Sequence, residues 1–432
     1  MIKNFLLKLD KNEIKNFILL LNGRISIDKT NKPLNLSYNS IVNLLTQFKD
    51  QKVLFKKEIY INDIYSSLHQ ISEISGKDSV KEKKKLLLSL FSQLSEVEKR
   101  YLFNTITGNL RLGASEGIIL QAIAKASKID YDFLRNSYMI SGNIGEIGFK
   151  AINEGINAIK KIQIQVFTPV RPMLARISTS IQEILQKHTN QTIFEYKYDG
   201  IRIQLHKNGN KIKLYTRKLN DITNSFKNLI SNLQHLIDAK TVILDGELIK
   251  VDKLNRPFSF QDIIKKNLKS SSENYAYKII FFDILYLNGN PLIDLPLIER
   301  KNKLNEISRG LEMASSIIET DLNSIDNFFQ KSISSGNEGI IAKKINSKYY
   351  LGTRNNEWLK FKKEYSLDLV IIAADWGSGR RYKWLSNYHL AVKDQKSFKM
   401  VGKTFKGLTD KEFDELTNKL LNLKMIKLII FC

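Results

Sequence analysis

Glu195-Tyr196-Lys197-Tyr198-Asp199-Gly200-Ile201-Arg202, followed by Ile203-Gln204-Leu205-His206-Lys207-Asn208-Gly209-Asn210-Lys211-Ile212-Lys213-Leu214-Tyr215-Thr216-Arg217, is the stretch whose pattern decides the fold. Ile201, Ile203 and Leu205 alternate with polar residues, Asn208-Gly209 marks a turn, and Ile212 and Leu214 resume the alternation. A period of two around an Asn-Gly step predicts a half-buried β-hairpin. Just upstream, Lys197 falls at the end of another strand, before the Asp199-Gly200 turn. A loop of this kind aims an amine into the cleft between two sheets.

Outward from there, short strands are expected at VILDGELI (242–249), KIIFFDILYL (278–287) and GIIAKKI (339–345). Helical or loop segments separate them without a βαβ rhythm, which predicts an α+β domain with antiparallel sheets. Upstream, residues 1–165 read as helical, with Pro33 their only proline. Ser95 and Glu98 have the spacing of a capping box, and the helix after them is expected to stop at Gly108. The lysine-rich run Lys81–Lys85 reads as a solvated helix start or loop. The two prolines of VFTPVRPMLA (166–175) predict an extended crossing between domains. Near 366 a third region begins, with strands at DLVIIAADWG and NYHLAVK and too few residues to close a five-stranded barrel. The expected division is 1–165, 166–365 and 366–432.

Composition limits the function. With 43% hydrophobic and 26% charged residues, the 432-residue chain reads as globular. No apolar run approaches the ~20 residues of a membrane span, and the N-terminus lacks a signal-peptide pattern, so a cytoplasmic protein with no membrane partner is expected. The formal net charge of +24 favours a polyanionic partner, nucleic acid above all. The single cysteine, Cys432, allows no internal disulfide, and the five histidines form no ligand-spaced pair. Any metal should therefore be a hard cation held by carboxylates and phosphates.

The chemistry centres on Lys197. A lysine becomes a nucleophile when nearby cations favour its neutral form. Lys360 and Lys362 in Trp358-Leu359-Lys360-Phe361-Lys362 alternate onto one strand face and would supply those cations. Alone, a K-x-D-G pattern is weak and fits a surface hairpin. The series Lys197, Arg217, Asp245-Gly246-Glu247, Phe282-Asp283, Glu338 to Lys343 and Lys360/Lys362 is far more specific, because a phosphate-and-purine ligand needs these residue types together.

In this series the chain closely resembles the covalent nucleotidyltransferases, and within them the ATP-dependent DNA ligases of archaeal and eukaryotic type. KYDGIR, DGE, FDILYLNG, EGIIAKK and WLKFKK occur in family order. The resemblance covers roughly residues 85 to 420 and includes YLFNTITGNLRLGASEGIILQAIAKA, similar to the family's helical DNA-binding domain, and TPVRPMLA, similar to its domain junction. It implies a multidomain chain: an all-α DNA-binding domain, an α+β nucleotidyltransferase (adenylation) domain with antiparallel sheets, and a partial β OB-fold.

It also implies roles. Lys197 would attack the α-phosphate of ATP and carry AMP. Glu195 would accept a hydrogen bond from the adenine amino group, and Phe282 would stack on the base, although a Phe in an apolar strand is usually core. Arg202 and Arg217 would hold phosphate and ribose. Glu247 and Glu338 would bind ribose or Mg²⁺, and Lys343, Lys360 and Lys362 would neutralise charge as pyrophosphate leaves. The AMP would pass to the 5′-phosphate of nicked duplex DNA, which the 3′-hydroxyl would then attack. A monomer is expected, its recruiting partner (a sliding clamp or another replication or repair protein) unidentified.

After residue 407 the resemblance stops, and the chain ends in LKMIKLIIFC. The expectation is a truncated or frameshifted ligase with an unclosed barrel, impaired in self-adenylylation yet able to seal a pre-adenylylated nick. Two other readings compete: an RNA ligase or capping-type nucleotidyltransferase, which usually lacks the helical domain, and a DNA-binding protein without turnover. A nicotinamide-dependent ligase is disfavoured by the lack of a Cys-rich zinc module.

Overall fold

The computed structural model describes residues 1–23, 34, 36–47, 58–76, 78–107, 115–189, 191–258, 275–363, 367–395 and 397–423. Pro33, Gly108, the LRLG segment and Cys432 lie outside them. The chain divides into two compact units, 1–362 and 363–432.

The first unit begins with helices α1 (Ile2–Leu6), α2 (Lys11–Leu21), α3 (Tyr38–Gln47), α4 (Ile61–Glu73), α5 (Ser79–Ser92), α6 (Glu96–Ile106), α7 (Glu116–Ser127), α8 (Tyr131–Ser141), α9 (Ile144–Asn153) and α10 (Ile156–Lys160). The expected capping box opens α6: the Glu98 amide donates to Ser95 Oγ, and the Ser95 amide donates to Glu98 Oε2 at 2.8 Å. The lysine-rich run forms the first turns of α5. Lys81 and Lys85 are exposed as expected, but Lys83 is buried and donates to the Leu34 carbonyl at 2.9 Å.

The rest of the unit carries β1 (Leu174–Ile177), α11 (Ile181–Lys187), β2 (Thr192–Lys197), β3 (Ile201–Asn208), β4 (Lys211–Thr216), α12 (Lys227–Leu233), β5 (Thr241–Asp252), β6 (Tyr275–Leu287), β7 (Asn290–Pro291), α13 (Leu297–Glu306), β8 (Ser316–Glu319), α14 (Leu322–Ser334), β9 (Gly339–Lys344) and β10 (Arg354–Lys362). They form two five-stranded sheets, ordered β1-β10-β9-β2-β8 and β4-β3-β5-β6-β7. The predicted hairpin is β3–β4, paired from Ile203↔Thr216 to Asn208↔Lys211, with Gly209 at φ +54° in its two-residue loop. The antiparallel expectation needs one correction: β1 pairs with β10 in parallel. The proline-rich crossing leads straight into β1, which makes an edge strand rather than a hairpin arm.

Each sheet buries one face in a local core. Phe194, Ile340, Ala342 and Leu359 pack under α11 and α14, and Ile203, Leu205, Leu244, Leu248 and Phe281 pack beneath the second sheet. A third core joins α7, α8 and α9 to Val170, Met173, Tyr349 and Trp358, so the helical region is anchored to the sheets by apolar burial. Polar contacts reinforce it: Arg171 donates to Glu116 Oε1 at 2.9 Å and to Tyr138 Oη at 2.7 Å.

Two backbone irregularities shape the space between the sheets. Along β6 the ladder runs Asp245↔Asp283 and then Gly246↔Phe281, so Phe282 has no partner on β5. This bulge lets Phe281 stay fully buried while Phe282 turns toward the cleft. At the start of β9, Gly339 sits at φ +145°, and a Cβ there would collide with the Phe361 carbonyl oxygen. Gly339→Ala should therefore lower the unfolding free energy by about 2 kcal/mol or more, read from a shifted urea midpoint.

The second unit carries β11 (Val370–Trp376), β12 (Leu385–Asp394) and β13 (Ser397–Thr404) in one antiparallel sheet, and α15 (Asp410–Asn422). Trp384, Leu385, Tyr388 and Phe413 form its core.

Candidate nucleotide site

Strand period and register assemble the site. Glu195 and Lys197, two residues apart, share a face of β2. On that face Lys197 pairs with Gly339 and Gly339 with Lys362, Glu195 and Lys360 meet across Ile341, and Ile193 and Trp358 flank Lys343. From these rows Lys197, Lys362, Glu195, Ile341, Lys360, Lys343 and Trp358 line one wall of a cavity of about 600 Å³, and Arg202, Arg217, Glu247 and Phe282 on or beside the second sheet line the other. Lys197 ends β2 and Ile201 begins β3 in the opposite sheet, so the Tyr198–Gly200 loop crosses the cleft instead of closing a surface hairpin.

All the residues expected from the sequence reach this cleft, but not all in the expected way. Lys197 lies 2.6 Å from Glu338 Oε2, and Lys362 closes on the same oxygen. The immediate neighbour of the amine is thus a carboxylate, with the expected cations one step further out. Burial pushes the Glu338 carboxyl up, and Lys197 and Lys362 overcome it and hold it at about 2. Burial, with Lys362 and Lys197 beside it, pulls the Lys360 ammonium below its ordinary value.

Arg202 lines the cleft with most of its donors already engaged. Its guanidinium donates to both oxygens of Asp245, at 3.1 and 2.7 Å, to the Met173 carbonyl at 2.6 Å and to Tyr349 Oη at 3.1 Å. A fork engaged in this way braces the cavity wall that it also lines. Its cationic face lies 5.4 Å from the Phe282 ring centroid and 5.6 Å from that of Trp358. Arg217 lines the same cavity and is exposed.

Lys343 also departs from its expected place. It is 1% exposed, lies 2.6 Å from Glu195 Oε2, and sits 4.4 and 4.2 Å from the Phe282 and Trp358 centroids. It lies two rows from Lys197, which puts it beside the aromatic rings and apart from Lys197 and Lys362. Burial lowers its ammonium to about 8.

Glu247 and Glu338 lie toward Lys197, with Asp199 also lining the cavity beside Glu338. Among the described residues no group of three or more His, Cys, Asp or Glu could hold a metal. Desolvation pushes the Glu247 carboxyl up to about 8, against Lys197 and Arg202. A half-compensated buried carboxyl fits a hard cation whose other ligands are phosphate oxygens and water. Without nucleotide, Glu247 binds its proton more tightly folded than unfolded. The stability this gives is complete below the ordinary carboxyl range and is lost as pH rises toward 8. Glu247→Gln should flatten that fall in urea unfolding between about pH 5 and pH 8.

Residues to which the motifs gave no role complete the site. Trp358 packs edge-on to Phe282 at 6.3 Å, and its alternation with Lys360 and Lys362 was the available signal. Lys301 of α13 contacts Glu195, with no signal in the strand pattern. Asp245 and Tyr349 hold Arg202.

Residues 172–362 match the family described as ATP dependent DNA ligase domain, and residues 7–124 match DNA ligase N terminus. A DNA ligase of Thermococcus onnurineus is 35% identical over 88% of this chain and 69% of its own length. DNA ligase 1 of Korarchaeum cryptofilum is 32% identical over 99% of this chain and 83% of its own length. The solved structure Pmar-Lig_PreS3 aligns over 96% of this chain and 92% of its own at a TM-score of 0.55 and 17% identity, a likeness of fold alone. No described helix is long and apolar enough to cross a membrane.

Proposed function

Because the chain belongs to the ATP-dependent DNA ligases, we propose that it joins nicked DNA through AMP carried on Lys197. The observation that carries this reading is the row Lys197, Glu338, Lys362 at one end of a cleft whose other end holds Glu195, Phe282 and Lys343. One end suits phosphates and a nucleophile, and the other suits a purine.

In the first step Lys197, having lost a proton to water, forms a bond from Nζ to the α-phosphorus of ATP. The bond from that phosphorus to the β-bridging oxygen breaks, and pyrophosphate leaves with the electron pair. Glu338, held at about 2, stays ionised and keeps Lys197 and Lys362 in register rather than taking the proton. Lys360 and Lys362 balance charge on the α-phosphate, and Arg217 meets the phosphates or ribose from the mouth. Phe282 stacks on the base, while Glu195 accepts from its exocyclic amine. Mg²⁺ at Glu247 and Glu338 would neutralise charge on the departing phosphates.

A 5′-phosphate oxygen at the nick next attacks the lysine-bound phosphorus, and the N–P bond breaks. The 3′-hydroxyl then attacks the 5′-phosphorus and AMP leaves. We read the helical region as the part that grips duplex DNA, which the net charge of +24 supports, and the three-stranded sheet of the second unit as the opening of an OB-fold.

Intact-mass analysis after incubation with ATP and Mg²⁺, followed by peptide mapping, tests the assignment. One AMP should sit on Lys197, and a nick in DNA should be sealed in preference to one in RNA. An adduct on another residue, or RNA preference, would overturn it.

A further inference from the structure

Glu195 is gripped from two sides. Lys343, inside the cleft, faces Oε2 at 2.6 Å. Lys301 closes on Oε1 from α13, a helix outside both sheets. Its neighbour Arg300 fixes that helix: fully buried, it donates to Asp283 at 2.8 and 3.0 Å and to the Leu295 and Ser347 carbonyls at 2.6 and 2.9 Å. Lys301 is thus delivered to Glu195 by a rigid mount, with 16% of its side chain exposed against 3% for Glu195.

We propose that Lys301 is a positioning residue for base choice, holding Glu195 as a bare acceptor and so selecting adenine over guanine. This rests on the reading of Glu195 as the group that faces the exocyclic position of the base. A carboxylate with an ammonium on each oxygen presents only lone pairs. Adenine offers an N–H donor at its exocyclic position, and guanine offers an acceptor oxygen. The ionised carboxylate attracts the first and repels the second, and burial strengthens both effects. Lys343 cannot hold the carboxylate alone: it lies over the Phe282 and Trp358 rings, in the space a stacked base enters. Lys301 approaches from the far side and keeps its place when the base is bound. Without it, Glu195 is held at one oxygen only and can rotate away from the exocyclic position, so the discrimination weakens.

The test is protein–nucleotide adduct formation with ATP and with GTP, each radiolabelled at the α-phosphorus, in the full chain. Lys301→Met should lower the ATP-over-GTP ratio of kcat/KM by roughly tenfold or more, mainly through a higher KM for ATP. Lys301→Arg should keep most of the preference. The proposal is overturned if Lys301→Met lowers both nucleotides in proportion or leaves the ratio unchanged. Glu195→Gln separates the two ideas. If it shifts the ratio and Lys301→Met does not, the base reading stands and Lys301 has no part in it. If it shifts nothing, the reading of Glu195 fails and the proposal with it. Should Lys301→Met not fold, Lys301→Gln takes its place, with the rise in melting temperature under ATP against GTP as a second readout.

Discussion

With alanine in place of Lys197, no AMP becomes attached to the protein, and nick sealing from ATP falls by about ten-thousandfold or more. The loss is this large because, in the proposed mechanism, the missing amine is the bonding partner of phosphorus and not a contact that helps it. A pre-adenylylated nick distinguishes the cause. There the new bond forms between two DNA groups, so Lys197→Ala should seal it with a far smaller deficit. Equal loss on both substrates would mean that the substitution had damaged the cleft as a whole. Stability is the control: Lys362 still closes on Glu338 when Lys197 is gone, so the substitution should cost only about 1–2 kcal/mol.

The second large effect is on folding. Asp283 and Arg300 are both fully buried and paired through two hydrogen bonds. Desolvation pushes the Asp283 carboxyl up, but Arg300 outweighs it and holds it below its ordinary value. Asp283→Ala leaves a guanidinium in the interior with no counter-charge, and should lower the unfolding free energy by about 3–5 kcal/mol. Adding Arg300→Met should restore part of the loss, because the stranded charge goes too. Denaturant unfolding of the three variants checks this, and a double variant less stable than Asp283→Ala would refute it. The pair's contribution is present above the ordinary Asp range and is lost as pH falls through the depressed folded value. Since Phe282 and Lys301 adjoin this pair in sequence, Asp283→Ala should also raise KM for ATP.

Much of this was legible in the residues. The β3–β4 hairpin, the strand-end position of Lys197 and the shared face of Lys360 and Lys362 all follow from a period of two, a property of single strands. What the pattern could not reveal depends on pairing. Arg202 is captured by Asp245 from another strand and by Tyr349 from a loop, and neither partner is near it in the chain. Lys343 reads as one more phosphate lysine until register sets it opposite Trp358. Lys301 arrives on a helix, where alternation has no meaning. Phe282 was ambiguous for the opposite reason: its neighbour Phe281 is equally apolar, and only the irregular ladder tells which ring is buried.

That irregularity makes the length of β6 matter more than its composition. Removing residue 282 alone would bring Phe281 and Asp283 into continuous pairing with Gly246 and Asp245, leaving a smoother ribbon. Such a deletion should spare the hydrophobic interior and take away the platform for the purine. The backbone tolerates the extra residue and, in the proposed reading, the base stacks on it, so this strand should accept exchange of side chains more readily than any change in their number.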